Sequence, residues 1–550
     1  MNRKFFFLTT LLLFLFGSSF SQRLAPNIYW VSLTDKEGTT YNVNAPEDFL
    51  SERAILRRAE SGIEIIEDDL PVLKSYVDSI RTTGVRIHGT TRWFNSVIIE
   101  TADSLALEKI SQFSFVENFN TEYTNFSSVN QEEAFISRES KPDNNKHESL
   151  YYGVASSQIS LLGGNFLHNF GYKGENTLIA VLDAGFYKVD ELKAFSHLWE
   201  EDRILGYKDF VDPSSDFFEQ STHGLAVLST LAAYIPDTFV GTAPKASYLL
   251  LRSEEAAREN KVEEAYWVMA AEYADSAGAD LITSSLGYYD FPTSDKMNYS
   301  FDDLNGDSAL VTRAAEKAFA KGMVVVSSAG NEGNNIWGRI TPPADGPNVL
   351  AVGSIDTALN VTSYSSRGNT YDGRIKPDLM AVGFRTKIIS PLGEPSEGFG
   401  TSFAAPQVAG LIACLIQASP EKTNHEIIKA VRKSSSQYAN PDSIMGYGIP
   451  NFIHALWELK KDTAKNENYG FIAYPNPFTG IVELQTTSSD IGIKQIDIFS
   501  SDGKLVHSNK KNWQPGEKIM INTLQRFSPG VYYLIAHSTE GEIVTKLIKQ

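Results

Sequence analysis

Cysteine is nearly missing from this sequence: Cys414 is the only one in 550 residues. No internal disulfide can form, so each folded unit must hold together by its apolar core alone. Cys414 lies in the run Leu411-Ile412-Ala413-Cys414-Leu415-Ile416, which predicts a buried helical position with no thiol chemistry. Basic charge is short as well. There are 49 Lys plus Arg against 67 Asp plus Glu, a net charge of -18 at pH 7. Nucleic acid is thereby excluded as a partner, since binding it requires phosphates to be neutralised by cations, and the charge reads as a solvated acidic surface. Long apolar runs are lacking too. The N-terminal run from Phe5 to Phe16 falls short of the about 20 residues a membrane-spanning helix requires, and no transmembrane segment is expected in the mature chain.

What is present is the composition of soluble globular protein, 42% hydrophobic and 21% charged, at a length that implies about three folded units. Arg3 and Lys4 precede the Phe5 to Phe16 run, and small residues follow up to Ser19-Phe20-Ser21. This is the pattern of a secretory signal, residues 1–21, cleaved after Ser21. No cysteine lies near that site, which argues against a lipid anchor.

Beyond the signal, residues 22–120 read as a compact α/β module. Ile28-Tyr29-Trp30-Val31, Val97-Ile98-Ile99-Glu100 and Phe115-Val116 are strand signals, with helices expected over 45–59 and 72–80. A polar stretch without periodicity, 121–150, reads as an exposed linker. From 151 to 460 short apolar strands alternate with helices: Leu178 to Leu182, Ser247 to Leu251, Leu281 to Thr283 and Met323 to Val326, with helices at 262–277 and 309–320. That alternation predicts an α/β fold on a parallel sheet covered on both faces, its working residues at the carboxyl ends of the strands. Residues 466–550 change again, to short alternating strands such as 480–485 and 531–536, with turns at Ser501-Asp502-Gly503 and Thr539-Glu540-Gly541. This is the signature of an all-β sandwich.

Four segments carry chemistry. In Gly400-Thr401-Ser402-Phe403-Ala404-Ala405-Pro406 a serine opens a long apolar helix, at the positive end where backbone N–H groups lack intrahelical partners. An oxyanion would be favoured beside it, although an ordinary N-cap would look the same. Pro406 lacks the N–H that would have bonded the carbonyl of residue 402. Serine needs a base, and His223 in Ser221-Thr222-His223-Gly224 stands just before a helical run from Leu225 to Ala233. The base needs an orienting carboxylate, and Asp183 ends the buried strand 178–182 ahead of Ala184-Gly185; an N-cap or a metal ligand are the other readings of a lone Asp. The fourth segment, Ser328-Ala329-Gly330-Asn331-Glu332-Gly333, places an Asn amide at a strand end, either as an oxyanion donor or as a plain turn residue.

Singly these signals are moderate; the order Asp, His, Ser is the one seen in subtilisin and not in chymotrypsin or α/β-hydrolases. The chain resembles the subtilisin-like serine peptidase (subtilase) family through Asp183-Ala184-Gly185, Ser221 to Gly224, Ala329-Gly330-Asn331 and Gly400 to Pro406, over about 310 of 550 residues. Resemblance implies a serine endopeptidase with Asp183, His223 and Ser402 as catalytic residues, Asn331 in the oxyanion hole, and Ser285, Leu286 and Gly287 pairing with the substrate backbone. It also implies that the 22–120 module is an α/β propeptide, removed by a cut in the linker, so that the enzyme is made as a zymogen. Three positions depart from the family pattern: Ala184 where Ser or Thr is usual, Phe403 in place of Met, and Leu225 in place of Thr. None removes a catalytic atom.

The tail, with Tyr474-Pro475-Asn476-Pro477 and Ser528-Pro529-Gly530-Val531-Tyr532-Tyr533, resembles the C-terminal sorting domain of the type IX secretion system. Its machinery is then a partner, besides protein or peptide substrates, and the protein is secreted, extracellular or attached to the outer cell surface. The chemistry requires no cofactor and no catalytic metal. Asp303, Asn305 and Asp307 alternate in a loop in the manner of calcium ligands, but no Glu follows at the spacing of a full calcium loop, so an exposed acidic turn is the simpler reading; the family resemblance leaves structural calcium open. The competing reading of the whole chain is a catalytically silent surface protein that uses the same fold for binding.

Overall fold

The computed structural model describes residues 22–117, 138–139, 151–291, 297–460, 471–486, 492–501, 503–514, 517–538 and 542–550. The expected signal (1–21), nearly all of the 121–150 linker, Asp502 and the 539–541 turn lie outside the described residues. Two compact units emerge, one drawn from Met1–Thr40 and Asp68–Thr124, the other from Tyr41–Glu67 and Asn125–Gln550.

In the smaller unit, strands Gln22–Ala25, Ile28–Ser32, Ser96–Glu100 and Arg86–Thr91 lie side by side in that order as an antiparallel sheet. Alternate residues Tyr29, Val31, Val97 and Ile99 face helices Lys74–Arg81 and Ser104–Ser111, where Ile80 and Ile110 complete the core. Phe115-Val116 forms no strand; Val116 makes a single bridge to Leu33. The helix expected over 45–59 is also shorter. Pro46–Asp48 is a 3-10 turn, and Ser51 then caps helix α1, Glu52–Glu60, by accepting from the Ala54 N–H at 3.2 Å. This helix belongs to the larger unit.

The larger unit is built on seven parallel strands: β1 Leu178–Asp183, β2 Ile204–Asp209, β3 Ser247–Arg252, β4 Leu281–Ser284, β5 Val324–Ser328, β6 Leu350–Ile355 and β7 Leu379–Val382. Their order in the sheet is β7-β6-β5-β4-β1-β3-β2. All six residues of β1 are buried, as are all of β4 to β7, which is why these runs are apolar throughout rather than alternating. Helices α2 His223–Ala232, α3 Val262–Ala277, α4 Leu310–Ala320 and α5 Thr401–Ala418 surround the sheet. Helix α5 is long and apolar enough to cross a membrane, but 89% of it is buried inside the protein, including Cys414, whose thiol burial pushes well above its usual pKa. The connections leaving β1 and β4 run to opposite sides of the sheet, so the cleft of the fold falls at their carboxyl ends.

At the C-terminus a three-stranded sheet (Phe471–Tyr474, Val482–Thr486, Ile519–Ile521) and a four-stranded one (Leu505–Trp513, Ile493–Ser500, Gly530–Ser538, Glu542–Lys549) are both antiparallel. Ile496, Ile498, Leu534 and Ala536 face the core between them. The residues of opposite parity, Phe499, Tyr533 and Ile535, join the core of the catalytic region instead. Phe499 packs its ring 4.8 Å from Phe166 and 4.4 Å from Phe170. The four-stranded sheet is therefore apolar on both faces at its centre. Upstream, Arg138–Glu139 adds a short strand to Pro395–Phe399.

Candidate active site

Asp183 is the last residue of β1 and is fully buried. Its Oδ1 accepts from the Ala184 N–H at 2.7 Å and lies 2.7 Å from His223 Nδ1. A buried carboxylate needs such partners to stay charged. Contact is possible because residue 224 has no side chain: a Cβ there would come 2.2 Å from the Gly185 carbonyl oxygen and 3.0 Å from Asp183 Oδ1. Ala184 contributes only its N–H and a methyl group, and Asp183 Oδ2 has no hydrogen-bond partner among the described residues. The departure at 184 thus leaves one carboxylate oxygen bare.

His223 opens α2 with its side chain 15% exposed. Its ring centroid lies 5.9 Å from that of Phe403, which brings the imidazole to the amino end of α5. Ser402 is the second residue of that helix. Its Oγ is directed at the Ser285 carbonyl oxygen, 3.4 Å away, while Ser285 Oγ donates to the Ser402 carbonyl at 2.8 Å. The second bond has a local cause. Helical carbonyls normally accept from the N–H four residues on; at 406 there is only proline, so the orphaned carbonyl takes the Ser285 hydroxyl. The other departures sit in packing positions: the Phe403 ring covers Gly398, and Leu225 is fully buried in α2.

Asn331 follows β5. Its Oδ1 accepts from both the N–H of Thr401 (2.9 Å) and the Thr401 hydroxyl (3.0 Å). A backbone N–H only donates, so the amide oxygen must face Thr401 and the Nδ2 group is turned the other way. Asn331 is exposed. Ser285 and Leu286 are buried and Gly287 is exposed at the carboxyl end of β4. The structure therefore gathers every expected site residue at one end of the sheet: Asp183 from β1, Ser285 to Gly287 from β4, Asn331 from β5, and His223 and Ser402 from two helix starts.

The loop considered for calcium uses its oxygens internally. Asn305 Oδ1 accepts from the N–H groups of Asp307 and Ser308, and Asp303 Oδ2 accepts from the N–H and hydroxyl of Ser300.

This arrangement is that of a peptidase with a serine at a helix start. Residues 174–448 match the model of the Subtilase family, 28–141 match a Peptidase S8 propeptide domain of Bacteroidota, and 472–550 match a secretion system C-terminal sorting domain. The chain belongs to the subtilase family. Subtilisin of Bacillus pumilus is 30% identical over 308 residues, 55% of this chain and 98% of that one. Subtilisin E of Bacillus subtilis (strain 168) is 30% identical over 55% of this chain and 70% of its own, and Serine protease AprX of the same organism 28% over 50% and 65%. The crystal structure of MycP1 with the N-terminal propeptide removed superposes with a TM-score of 0.43 at 22% identity, over 55% of this chain and 96% of that one. The chain is a serine-type endopeptidase with a propeptide. Its sorting domain makes it a secreted protein, extracellular or attached to the cell surface.

Proposed function

We propose that Asp183, His223 and Ser402 act as a catalytic triad that hydrolyses peptide bonds through an acyl-enzyme. The 2.7 Å contact between Asp183 Oδ1 and His223 Nδ1 carries this reading, because it fixes the tautomer with Nδ1 protonated and leaves Nε2 as the base. Ser402 Oγ attacks the scissile carbonyl carbon as Nε2 takes its proton. The oxyanion receives hydrogen bonds from Asn331 Nδ2 and the Ser402 N–H, at the positive end of α5. His223 then gives its proton to the departing amine, and water repeats the sequence to free Ser402. Substrate lies extended along Ser285, Leu286 and Gly287. Nothing in the mechanism calls for a metal or cofactor. The signal is cleaved after Ser21, a cut within 121–150 removes the propeptide and converts the zymogen to the mature enzyme, and export uses the type IX machinery.

The test is fluorophosphonate labelling of the matured chain, read by intact mass, beside Ser402→Ala. One adduct is expected on the wild type and none on the variant, with turnover reduced by about 10⁶-fold, a magnitude taken from subtilisin itself. A folded, propeptide-free wild type that takes no label would instead make this a silent binding protein.

A further inference from the structure

We propose that Thr341 closes the pocket on the acyl side of the scissile bond, restricting the enzyme to Gly, Ala or Ser as the residue whose carbonyl is attacked. The proposal rests on the triad reading above. If the attacked carbon lies against Ser402 Oγ with its oxygen toward Asn331, and the substrate backbone runs along Ser285 to Gly287, the side chain of that residue has one way to go. It enters the gap between the segment leaving β4 and the segment leaving β5.

Glycines form both walls of that gap, Gly287 on one side and Gly330 on the other, so space for a large side chain might be expected there. Thr341 occupies it. A Cβ on Gly287 would stand 2.1 Å from Thr341 Oγ1 and 3.0 Å from its Cβ; one on Gly330 would stand 2.9 Å from Oγ1 and 3.2 Å from Cγ2. The backbone that carries the threonine is tied to both walls. Its N–H donates to the Ala329 carbonyl at 3.2 Å, and the next residue's carbonyl, on Pro342, accepts from the Tyr288 N–H at 2.9 Å. Ser366 Oγ narrows the gap further, 2.8 Å from a Cβ on Gly330, while it accepts from the Glu332 N–H at 2.9 Å.

The Thr341 hydroxyl points into this gap without a hydrogen-bond partner among the described residues, and the residue is 2% exposed. A buried unpaired hydroxyl is a cost that folds avoid unless the position has another use. Here the use is shape. The hydroxyl and methyl of Thr341 fill the depth that an aromatic or long aliphatic side chain would need, so only a small side chain fits.

The measurement is kcat/KM of the full chain after maturation on a peptide series that differs only in the residue before the scissile bond: Ala, Ser, Leu, Phe and Lys. Wild type should favour Ala and Ser over Phe and Leu by roughly tenfold or more, the scale on which pocket size discriminates. Thr341→Gly should raise the rate on Phe and Leu by roughly tenfold or more while changing Ala far less, with Thr341→Ala falling between. Fluorophosphonate labelling of each variant checks that the fold and the serine are intact. Labelled wild type that prefers Phe or Leu, or labelled variants with the wild-type profile, would overturn the assignment of Thr341 and leave the triad standing. Wild type that takes no label overturns both.

Discussion

The two ends of the same parallel sheet pair their buried carboxylates in different ways. At the carboxyl ends, Asp183 Oδ2 and Thr341 Oγ1 are buried without hydrogen-bond partners among the described residues, and the Asn331 amide is oriented by Thr401 with its N–H₂ turned away from it. At the amino ends, carboxylates are met by guanidinium groups from helix α1. Asp275, in α3, receives Arg57 on Oδ1 at 2.5 Å and Arg58 on Oδ2 at 2.7 Å, and all three side chains are nearly inaccessible to water. Asp280, ahead of β4, pairs with Arg53 and accepts from the Leu178 N–H at 2.7 Å, which ties α1 to the starts of β1 and β4. At one end a buried carboxylate is held by two cations, at the other by one imidazole and one backbone N–H, which leaves the second carboxylate less tied down and closer to the bond-making atoms.

That contrast can be broken at either end. The largest effect is expected at the base. Asp275→Ala would strand two buried arginines and should destabilise by about 3–5 kcal/mol. It would be read as a lowered denaturation midpoint in a full-length Ser402→Ala background that cannot digest itself. The same loss of stability should be absent from Asn331→Ala, which instead should lower kcat by about 10²–10³, again a figure drawn from subtilisin, with KM and the denaturation midpoint little changed. A midpoint shift for Asn331→Ala as large as that for Asp275→Ala would erase the distinction between the ends. A smaller effect sharpens it: Ala184→Ser offers a hydroxyl to the bare Asp183 Oδ2 and should raise stability by about 1 kcal/mol, seen in the same denaturation experiment. No change would mean that water already serves that oxygen.

Much of the carboxyl end was legible in the sequence because each residue there closes a local pattern. Asp183 ends an apolar run, His223 and Ser402 open helices, and Asn331 sits in a Gly-rich turn after a strand, so strand and helix periodicity alone puts them at one edge of a parallel sheet. Pro406 even exposed the orphaned Ser402 carbonyl, though not that Ser285 would fill it, since a bond across 117 residues leaves no trace in local spacing. Thr341 was invisible for the same reason: Thr341-Pro342-Pro343 signals a turn, but which glycines it faces depends on how β4 and β5 pair. The base was less legible. The 45–59 periodicity pointed to one helix, whereas Pro46 and the Ser51 cap divide it, and its three arginines find their acids more than 200 residues on.

A third contact, between the C-terminal sandwich and the catalytic region, depends on a histidine, whose charge is lost at mildly alkaline pH, unlike that of the arginines at the base. His537 lies 2.9 Å through Nε2 from Asp497 Oδ2 and 3.1 Å through Nδ1 from Glu542 Oε1, and Glu542 also accepts from the Tyr172 hydroxyl of the catalytic region at 2.5 Å. Hydrogen bonds from the imidazolium, first to Asp497 and then to Glu542, push its pKa up to about 9, against about 6.5 in an unfolded chain. Because the folded value is the higher one, the stabilisation is complete below about pH 6.5 and is lost as pH rises through about 9. The Arg57–Asp275–Arg58 cluster should hold its charge across that whole window, since arginine does not deprotonate there. Denaturation midpoints of the Ser402→Ala chain, measured from pH 6 to 9.5, should therefore fall with pH, and His537→Gln should flatten that part of the slope while Asp275→Ala lowers the curve without changing its shape. Equal slopes with and without His537 would show that the imidazole is not held charged between the two carboxylates, and would remove this pH-sensitive contact as a difference between the junction and the base of the sheet.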